Sequence, residues 1–523
     1  MVLQRRPPHA THPANAQLHV ETAPPPEPER SRPTSATTLS LVLIWSAREP
    51  QRVGHSAVCD VDRVHLLGRA PQVSGGEAPL TFAASRPDEA GGVEATSNAV
   101  LGESLSRRQL EIRVDGDVLL VRNVGKCPMW VNSVIHSRAE VCHGDVIHLQ
   151  QQISLLCVKK SRSYPSQCGY PYERLTSFGF ADADGMVGES DAMWRLRQQI
   201  AQCGPSDGHV LIVGESGVGK ELVAQALHQL SHIKRQVFVA ENISTIPPNL
   251  GTALLFGNRR NFPNPGMEER AGLIGRAEGG TLFLDEIGDM NEEVQPLLLR
   301  VMERGGEYMR LGEDAQPRRT HVRFIAATNH PERLRPELRR RFHHEIHVPD
   351  LNERREDIPL LIRHILLLRA RQRPALSAYL QDGQPRIDPQ LLEQLVRHAY
   401  STHISELAFL VEQAAADCEG LTLLPLSQDV LRRRSAAALG AARTTGGAPP
   451  SGAPEQPPAS SSFLPTAEEA QRALDLASGF VARAAVRLGI SRHQLNRLIR
   501  RHQLTISRGA GSGSDGARCS DDD

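Results

Sequence analysis

Residues 209–221 constrain the fold of this chain more than any other segment. After His209 they continue with the apolar run Val-Leu-Ile-Val, which has the length of a buried strand, and break into Gly-Glu-Ser-Gly-Val-Gly-Lys-Glu. Glycines allow backbone N–H groups to curl around phosphate oxygens, the following helix directs its positive end at them, and the lysine neutralises charge. Taken alone, the loop could also be an ordinary glycine turn. The pattern predicts a nucleoside triphosphate site whose members are Gly214, Glu215, Ser216, Gly217, Val218, Gly219, Lys220 and Glu221.

Two further apolar runs end in polar groups that suit phosphate chemistry. Residues 281–284 lead into Asp285 and Glu286, and residues 322–327 lead into Thr328 and Asn329. Ligands of open α/β sheets bind at the carboxyl ends of the strands, so these groups are expected at one edge. Asp285 is expected to hold Mg²⁺, and Glu286 to orient the attacking water, because phosphoryl transfer depends mainly on positioning and charge stabilisation. The three runs together predict a parallel α/β domain that binds ATP with Mg²⁺.

Residues from about 186 to 424 resemble the AAA+ domain of bacterial enhancer-binding proteins, the sigma-54-dependent transcriptional activators. The resemblance rests on residues 186–190, 214–221, Asn242, 255–257, 270–272, 279–290, Gln295 and 353–358. In this family the glutamate at position 221 is normal, although a Ser or Thr follows the lysine in the usual phosphate-binding loop. The resemblance implies that Asn242 is the switch partner of Glu286 and that Asn329 senses the γ-phosphate.

The segment 334–342, Leu-Arg-Pro-Glu-Leu-Arg-Arg-Arg-Phe, resembles the family's finger helix. Arg335 and Arg341 fall at the two family positions for arginine fingers. A cation delivered by a neighbouring subunit stabilises transition-state charge and couples hydrolysis to assembly. The resemblance therefore implies a homo-oligomer, expected to be a ring. A solvated basic helix face is the alternative interpretation.

Two segments depart from the family pattern. The loop that contacts sigma-54 in the family reads Gly-Ala-Phe-Thr-Gly-Ala, whereas residues 261–266 read Asn-Phe-Pro-Asn-Pro-Gly. Two prolines fix φ and remove N–H donors, so the family contact cannot simply be transferred. Where the Gly-Asn-Val-Arg-Glu-Leu signature supplies a sensor arginine in the lid, this chain has Ser405, which cannot replace an arginine at a phosphate. These departures bear on rapid hydrolysis and sigma-54 remodelling more than on nucleotide binding.

Residues 39–160 show short β runs broken by Gly, Asp and Asn, a pattern typical of an all-β sandwich. The order of Gly68-Arg69, residues 105–108, Val131-Asn132 and residues 143–147 resembles a forkhead-associated (FHA) domain. The resemblance implies a phosphothreonine-bearing partner protein or a Ser/Thr kinase. The phosphopeptide-binding residues implied by it, through charge-assisted hydrogen bonds and a peptide-backbone contact, are Arg69, Ser106, Arg107 and Asn132.

The FHA resemblance also has departures. Gln109 replaces the usual histidine, and residues 125–129, Gly-Lys-Cys-Pro-Met, replace the Ser-x-Asn-Gly loop. A sandwich that has lost phosphopeptide binding and serves only as a scaffold is the alternative.

The C-terminal part of the chain predicts a helix-turn-helix. Apolar residues between 480 and 488 fall on one helical face, Gly489 ends that helix, and residues 491–494 form a capping box for the next. Between residues 476 and 514 there are seven arginines and no acidic residue, in a chain with zero formal net charge. This segment resembles the Fis-type helices that close enhancer-binding proteins, with a basic helical hairpin for dimer contacts as the alternative. The expected DNA contacts are Arg492, Gln494, Asn496, Arg497 and Arg500.

Composition limits the remaining possibilities. The 523 residues suggest about three or four modules, and 60 basic against 60 acidic side chains give no global bias toward nucleic acid or membrane. Eight cysteines in no metal-ligand spacing suit reduced thiols in a cytosol. No apolar run has membrane-spanning length, and no signal peptide is evident. A cytoplasmic location is therefore expected.

The predicted fold class is multidomain: a β-sandwich, an α/β P-loop AAA+ domain with a helical lid, and an all-α helix-turn-helix. The modules are a disordered leader (1–38), an FHA-like sandwich (39–160), a linker (161–183), the AAA+ α/β subdomain (184–352), the lid (353–425), a flexible linker (426–464), a Fis-type helix-turn-helix (465–507) and a disordered tail (508–523).

This order of modules favours a bacterial transcription regulator that receives a phosphothreonine signal, assembles on upstream DNA and uses ATP to act on RNA polymerase with sigma-54. An alternative is a DNA-bound regulator for which ATP is an assembly ligand and which no longer remodels sigma-54. A AAA+ chaperone would leave the helix-turn-helix unexplained.

Overall fold

The computed structural model describes residues 37–84, 86, 94–95, 104–161, 169–247, 250–262, 264–303, 306–313, 317–416, 423–424 and 471. Most of the predicted leader, the linker 426–464 and the tail lie outside these residues. So does the predicted helix-turn-helix, apart from residue 471. No helix within the described ranges is long and apolar enough to cross a membrane.

The N-terminal domain consists of two packed β-sheets. Its strands are β1 (Thr37–Ser46), β2 (Ser56–Val58), β3 (Val64–Leu67), β4 (Glu77–Pro79), β5 (Ala83–Ala84), β6 (Glu94–Ala95), β7 (Leu110–Asp115), β8 (Val118–Asn123), β9 (Met129–Val131), β10 (Val134–His136), β11 (Arg138–Val141), β12 (Val146–Leu149) and β13 (Ile153–Ser161). One sheet has the order β10-β9-β12-β13-β1-β2-β5-β6 and the other β11-β8-β7-β3-β4. The sandwich predicted for residues 39–160 therefore begins at Thr37 and ends at Ser161.

Strand β1 is buried on both of its faces. Leu41 and Leu43 point into the core shared by the two sheets. The alternate residues Val42 and Ile44 belong to a different buried cluster, which is formed mainly by the C-terminal helices of the described chain. Because successive side chains of a strand point to opposite faces, the sandwich packs one sheet against the rest of the molecule.

The second domain has an α/β subdomain built on a five-stranded parallel sheet. Its core strands are β14 (Val210–Val213), β15 (Phe238–Asn242), β16 (Thr281–Asp285), β19 (Arg323–Thr328) and β20 (His344–His347), in the order β15-β16-β19-β14-β20. The two-stranded ribbon is β17 (Glu307–Tyr308) with β18 (Arg318–Arg319). The helices are α1 (Asp191–Cys203), α2 (Lys220–Gln229), α3 (Gly251–Phe256), α4 (Gly272–Arg276), α5 (Gln295–Met302) and α6 (Pro336–Arg339). The predicted α/β class is confirmed.

Three helices follow the α/β subdomain and form the lid. They are α7 (Ile358–Gln372), α8 (Pro389–Arg397) and α9 (His403–Ala416), with the hairpin of β21 (Leu380–Gln381) and β22 (Gln384–Pro385) between the first two. Asp388 caps α8 by accepting hydrogen bonds from the backbone N–H groups of Gln390 and Leu391. The apolar faces of the three helices meet in one cluster that also includes Tyr379 and Tyr400.

Candidate nucleotide site and associated surfaces

The phosphate-binding loop joins β14 to α2. Gly217 and Gly219 have φ angles of +79° and +102°, which L side chains rarely adopt. Lys220 is the first residue of α2, so the unpaired N–H groups of its first turn face the loop. Val218 is buried and Glu221 is exposed in the first turn. Residues 214–220 thus have the backbone geometry that a phosphate cradle requires, and the anion site predicted for residues 214–221 stays a prediction.

Strand ends bring the expected charged groups to this loop. The Lys220 ammonium donates to the carbonyl oxygens of Gly214 and Glu215 at 3.1 and 3.3 Å. It also lies 3.3 Å from Oε1 of Glu286, and both side chains are largely buried. Glu286 has a left-handed backbone, with φ of +51°, directly after β16. In this arrangement the lysine is paired with the residue predicted to orient water, and both face the cradle.

Asp285 has the features of a metal ligand. Its Oδ1 oxygen is buried without a hydrogen-bond partner among the described residues. Burial, followed by the adjacent Glu286 carboxylate, raises the pKa of Asp285. A cation at this oxygen would relieve both costs, and carboxylate oxygen is a preferred Mg²⁺ ligand. The residues therefore fit Mg²⁺, which would neutralise phosphate charge when bound.

The two predicted asparagines lie at the same edge of the sheet, but Asn242 has a different partner from the one expected. Its Nδ2 donates to Oδ2 of Asp285 at 3.2 Å, not to Glu286. The reason is register, because Asn242 pairs directly with Asp285 across the parallel strands β15 and β16. Asn329 follows β19, which lies between β16 and β14, and is half-buried.

A cavity of about 570 Å³ extends from the phosphate-binding loop into the space between the two subdomains. Its walls are mostly apolar and include Val187, Val218, Leu361 and Ile365. Fully buried Arg354 donates to the carbonyl oxygens of Val218 at 3.3 Å and Val187 at 3.5 Å. An apolar cavity beside a phosphate cradle suits the base and sugar of a nucleotide.

The start of α9 rests on the phosphate-binding loop. The backbone N–H of Ile404 donates to the Gly217 carbonyl at 3.2 Å. A Cβ on Gly217 would lie 2.5 Å from the Thr402 carbonyl oxygen and 2.9 Å from Ser405 Oγ. Ser405, which the resemblance places at the sensor-arginine position, therefore lies beside the loop with a short side chain. This lid contact had no signal in the sequence, because backbone groups and small side chains make it.

The arginines of the predicted finger segment are exposed, whereas Leu334, Leu338 and Phe342 are buried. The backbone N–H of Arg335 donates to Oε1 of Gln295 at 2.9 Å, and its guanidinium has no ion pair among the residues described. The Arg341 guanidinium lies 2.8 Å from Oε1 of Glu303, and about half of each of these side chains is exposed. The Arg335 guanidinium is therefore exposed without an ion pair among the described residues, whereas that of Arg341 is paired with Glu303.

The loop of residues 261–266, which departs from the family pattern, is held by hydrogen bonds from a buried side chain. The buried Asn258 amide donates to the carbonyl oxygens of Arg259, Phe262 and Glu268 at 3.0, 3.2 and 2.9 Å. Phe262 is 39% exposed. A Cβ on Gly312 would lie 2.4 Å from the ring of Phe262, so the ring packs on that glycine. The aromatic side chain of segment 261–266 thus packs against Gly312 of the same domain.

Three basic residues, Arg69, Arg107 and Lys126, lie next to Ser106 along the backbone at one edge of the sandwich. The backbone N–H of Arg69 donates to the Ser106 carbonyl at 3.0 Å, and the backbone N–H of Lys126 donates to Ser106 Oγ at 2.9 Å. Arg69, Arg107 and Lys126 are exposed, with no ion pair within the described ranges. Lys126, which is not among the residues predicted from the sequence, is therefore a further exposed basic residue whose backbone contacts Ser106.

Gln109 fixes these loops in place of the family's histidine. Its buried side chain donates to Asn123 Oδ1 and to the Cys127 carbonyl, both at 2.7 Å. It accepts from the backbone N–H of Ser106 at 3.0 Å. A fully buried amide with three partners thus joins the backbone at Ser106 to the segment 123–127.

Asn132 is committed to contacts inside the sandwich. Its Nδ2 donates to Asp145 Oδ1 at 2.7 Å, and its Oδ1 accepts from the backbone N–H of Val146 at 3.0 Å. Its φ of +53° places it in the turn between β9 and β10. Holding a peptide backbone would require one of these bonds to be shared or exchanged.

Comparisons with known proteins concern mainly the central domain. Residues 186–351 match the model of the Sigma-54 interaction domain. The DNA-binding transcriptional regulator NtrC of Bradyrhizobium sp. (strain RP501 Parasponia) is 39% identical over 259 residues, which is 47% of this chain and 52% of the relative. The anaerobic nitric oxide reductase transcription regulator NorR of Aeromonas hydrophila is 38% identical over 238 residues, 44% of this chain and 45% of the relative. The chain thus spans about half the length of these relatives.

Among solved structures, NtrX from Brucella abortus in complex with ATP is 26% identical. That match covers 63% of this chain and 70% of the other, with a TM-score of 0.41.

Proposed function

We propose that this chain, whose residues 186–351 match the Sigma-54 interaction domain, is an ATP-dependent transcription regulator of the sigma-54-interacting type. The observation that carries the proposal is the meeting of Lys220, Asp285 and Glu286 at one sheet edge beside an apolar cavity. This arrangement supports ATP binding with Mg²⁺ and hydrolysis by water oriented on Glu286. The relatives' names, which include transcriptional regulators, support the coupling of that chemistry to transcription.

Co-elution with sigma-54 tests the coupling. Purified chain is mixed with sigma-54 in ADP and aluminium fluoride, next to a variant in which residues 261–266 are replaced by Gly-Ala-Phe-Thr-Gly-Ala. Because the native loop contains two prolines and folds Phe262 onto Gly312, we expect weak co-elution of the native chain and stronger co-elution of the swapped one. Strong co-elution of the native chain, lost on Phe262→Ala, would mean that the family contact survives with a different side chain.

The loop and Ser405 favour a second candidate, in which ATP is an assembly ligand for a regulator that no longer remodels sigma-54. A lid residue without a guanidinium provides no charge to a transition state. This candidate predicts tight ATP binding with negligible turnover even at high protein concentration. A turnover rate that rises with assembly would exclude it.

The amino-terminal domain is proposed to bind phosphothreonine through Arg69, Ser106 and Arg107, with Lys126 as a further cation. Three exposed basic residues whose backbones adjoin Ser106 support recognition of a dianionic group by charge-assisted hydrogen bonds. Calorimetric titration of the chain against a phosphothreonine peptide library tests this. Arg69→Ala should remove binding, and the matched Arg122→Ala, which removes an exposed arginine of β8 paired with Glu111, should keep it. No binder in the library would favour the scaffold alternative.

A homo-oligomeric ring is proposed from the exposed Arg335.

DNA binding is proposed to reside in residues 465–507. The support for DNA binding is the sequence pattern, with seven arginines and no acidic residue between residues 476 and 514. Losing a phosphate contact at Arg497 or Arg500 should lower the salt slope by about one unit. Operator binding that survives deletion of residues 465–523 in gel shifts would contradict the assignment.

A further inference from the structure

The sandwich contacts both halves of the nucleotide-binding domain. On the lid side, Trp45 Nε1 donates to the Ile387 carbonyl at 3.0 Å, and Ser133 Oγ donates to Glu393 Oε1 at 2.8 Å. Glu393 is only 4% exposed, and it also forms an ion pair with Arg397 at 3.6 Å. The same two domains also share an apolar contact, in which Val42 and Ile44 of the sandwich belong to the buried cluster of the lid.

On the other side, the sandwich is tied to the beginning of the α/β subdomain. Arg86 donates from Nε to both carboxylate oxygens of Glu189 at 3.0 Å. It also donates from Nη1 to the Thr176 carbonyl at 2.7 Å. The last residue of β13, Ser161, donates its backbone N–H to Oδ2 of Asp191, the first residue of α1, at 2.7 Å.

Helix α7 links the sandwich to the nucleotide cavity. Leu361, Ile365 and Leu368, spaced by four and three residues, line that cavity. Pro359, Leu360 and Ile362 instead line a gap of only about 30 Å³ against Ile44, Trp45 and Val53 of the sandwich. Because residues three and four apart share a helix face, one side of α7 faces the nucleotide and the other faces the sandwich.

We infer that the sandwich is a brace across the hinge between the α/β subdomain and the lid, and that it slows the entry and exit of nucleotide. The cavity is walled by both subdomains, so nucleotide exchange requires the lid to move relative to the phosphate-binding loop. The sandwich forms hydrogen bonds with both the α/β subdomain and the lid, and it therefore opposes that motion. Releasing either end of the brace frees the lid, so the two ends act as one unit.

The brace rests on the proposed nucleotide site, and its test is a comparison of exchange rates in the full chain. Stopped-flow fluorescence with N-methylanthraniloyl-ATP gives association and dissociation rates for wild type, Ser133→Ala at the lid end, Arg86→Ala at the other end, and the double variant. Loss of a hydrogen bond to a buried carboxylate should raise both rates about fivefold or more in either single variant. The double variant should exceed the larger single effect only slightly.

The matched control is Arg122→Ala, which removes an exposed arginine paired with Glu111 at 3.6 Å inside the other sheet; its rates should equal those of wild type. Unchanged rates in both single variants, or effects that multiply in the double variant, would overturn the brace. Amide hydrogen exchange without nucleotide provides an independent readout, because a released lid should exchange faster in α7 and α8 in both single variants. If wild type fails to bind the probe, the proposed nucleotide site fails, and hydrogen exchange alone decides on the brace.

Discussion

Replacement of Asp285 by asparagine should stabilise the nucleotide-free protein while weakening its binding of Mg²⁺ and ATP. The Oδ1 oxygen of Asp285 is buried without a described partner, and burial together with Glu286 raises the pKa of the carboxyl. A buried polar group without a hydrogen bond costs about 1–3 kcal/mol, and more when it is charged; asparagine keeps a polar atom there but removes the charge. Since Asp285 as a whole is half-buried, the lower end of this energy range applies. The asparagine variant should therefore gain about 1 kcal/mol in the free energy of unfolding, or about 2–4 °C in Tm.

The pH dependence has a definite sign. A carboxyl whose pKa is raised on folding contributes stability below its unfolded pKa, and that contribution is lost as pH rises through the folded pKa. Wild type therefore loses this contribution at higher pH, whereas Asp285→Asn has no charge to lose. The Tm advantage of the variant should be small near about pH 4 and largest near about pH 8.

Asp357→Asn is the matched control. Asp357 is also buried with a raised pKa, but its oxygens accept from the N–H groups of Glu189 at 2.8 Å and Ser190 at 3.0 Å and from Ser190 Oγ at 2.6 Å. An amide cannot replace all three acceptor contacts, so this variant should lose about 3 kcal/mol. Differential scanning calorimetry gives the stabilities, and isothermal titration with Mg²⁺-ATP should show an affinity loss of about tenfold or more for Asp285→Asn. Equal destabilisation by both substitutions would refute the assignment of Asp285 as a metal ligand.

Three further substitutions test neighbouring parts of the site. Lys220→Ala removes the cation of the cradle, so ATP binding should vanish in calorimetry, and unaltered affinity would contradict the site. Gly217→Ala forces a side chain to φ of +79° and within 2.5 Å of the Thr402 carbonyl oxygen; it should lower stability by about 2 kcal/mol or more and expose the lid to protease. Burial, followed by Asp357, raises the pKa of Glu356 to about 7. Its contribution to stability is therefore lost as pH rises through about 7, and Glu356→Gln should flatten the dependence of Tm on pH there.

The sheet edge of the candidate nucleotide site could be predicted from the sequence, because it depends on where the strands end. Apolar runs that stop at Gly214, Asp285 and Asn329 place these residues at one edge of any parallel sheet. The partner of Asn242 was not predictable, since it depends on the register of β15 against β16, which brings Asn242 to Asp285. The lid contact at Gly217 was missed as well, because it is made by backbone groups far apart in sequence.

Two segments of the sandwich carry a sequence signal for its packing against another domain. Residues 41–44 read Leu-Val-Leu-Ile and residues 155–158 read Leu-Leu-Cys-Val, with no alternation of apolar and polar residues. A sandwich strand that is apolar on both faces must be covered on both faces. The sequence could therefore predict that one sheet packs against another domain. It could not identify α7 as the partner, because that choice depends on three-dimensional contacts of distant segments.

Steady-state ATP turnover per subunit, measured as a function of protein concentration, tests the central claim most directly. The chain is compared with Glu286→Gln, which lacks the water-orienting carboxylate, and with Arg335→Ala, which lacks the exposed finger. The proposed function predicts that wild-type turnover rises with concentration, and that both variants lose turnover, by about a thousandfold for the finger, while Glu286→Gln still binds ATP. Turnover that is independent of concentration and unaffected by Arg335→Ala, or ATP binding without turnover in wild type, would contradict it.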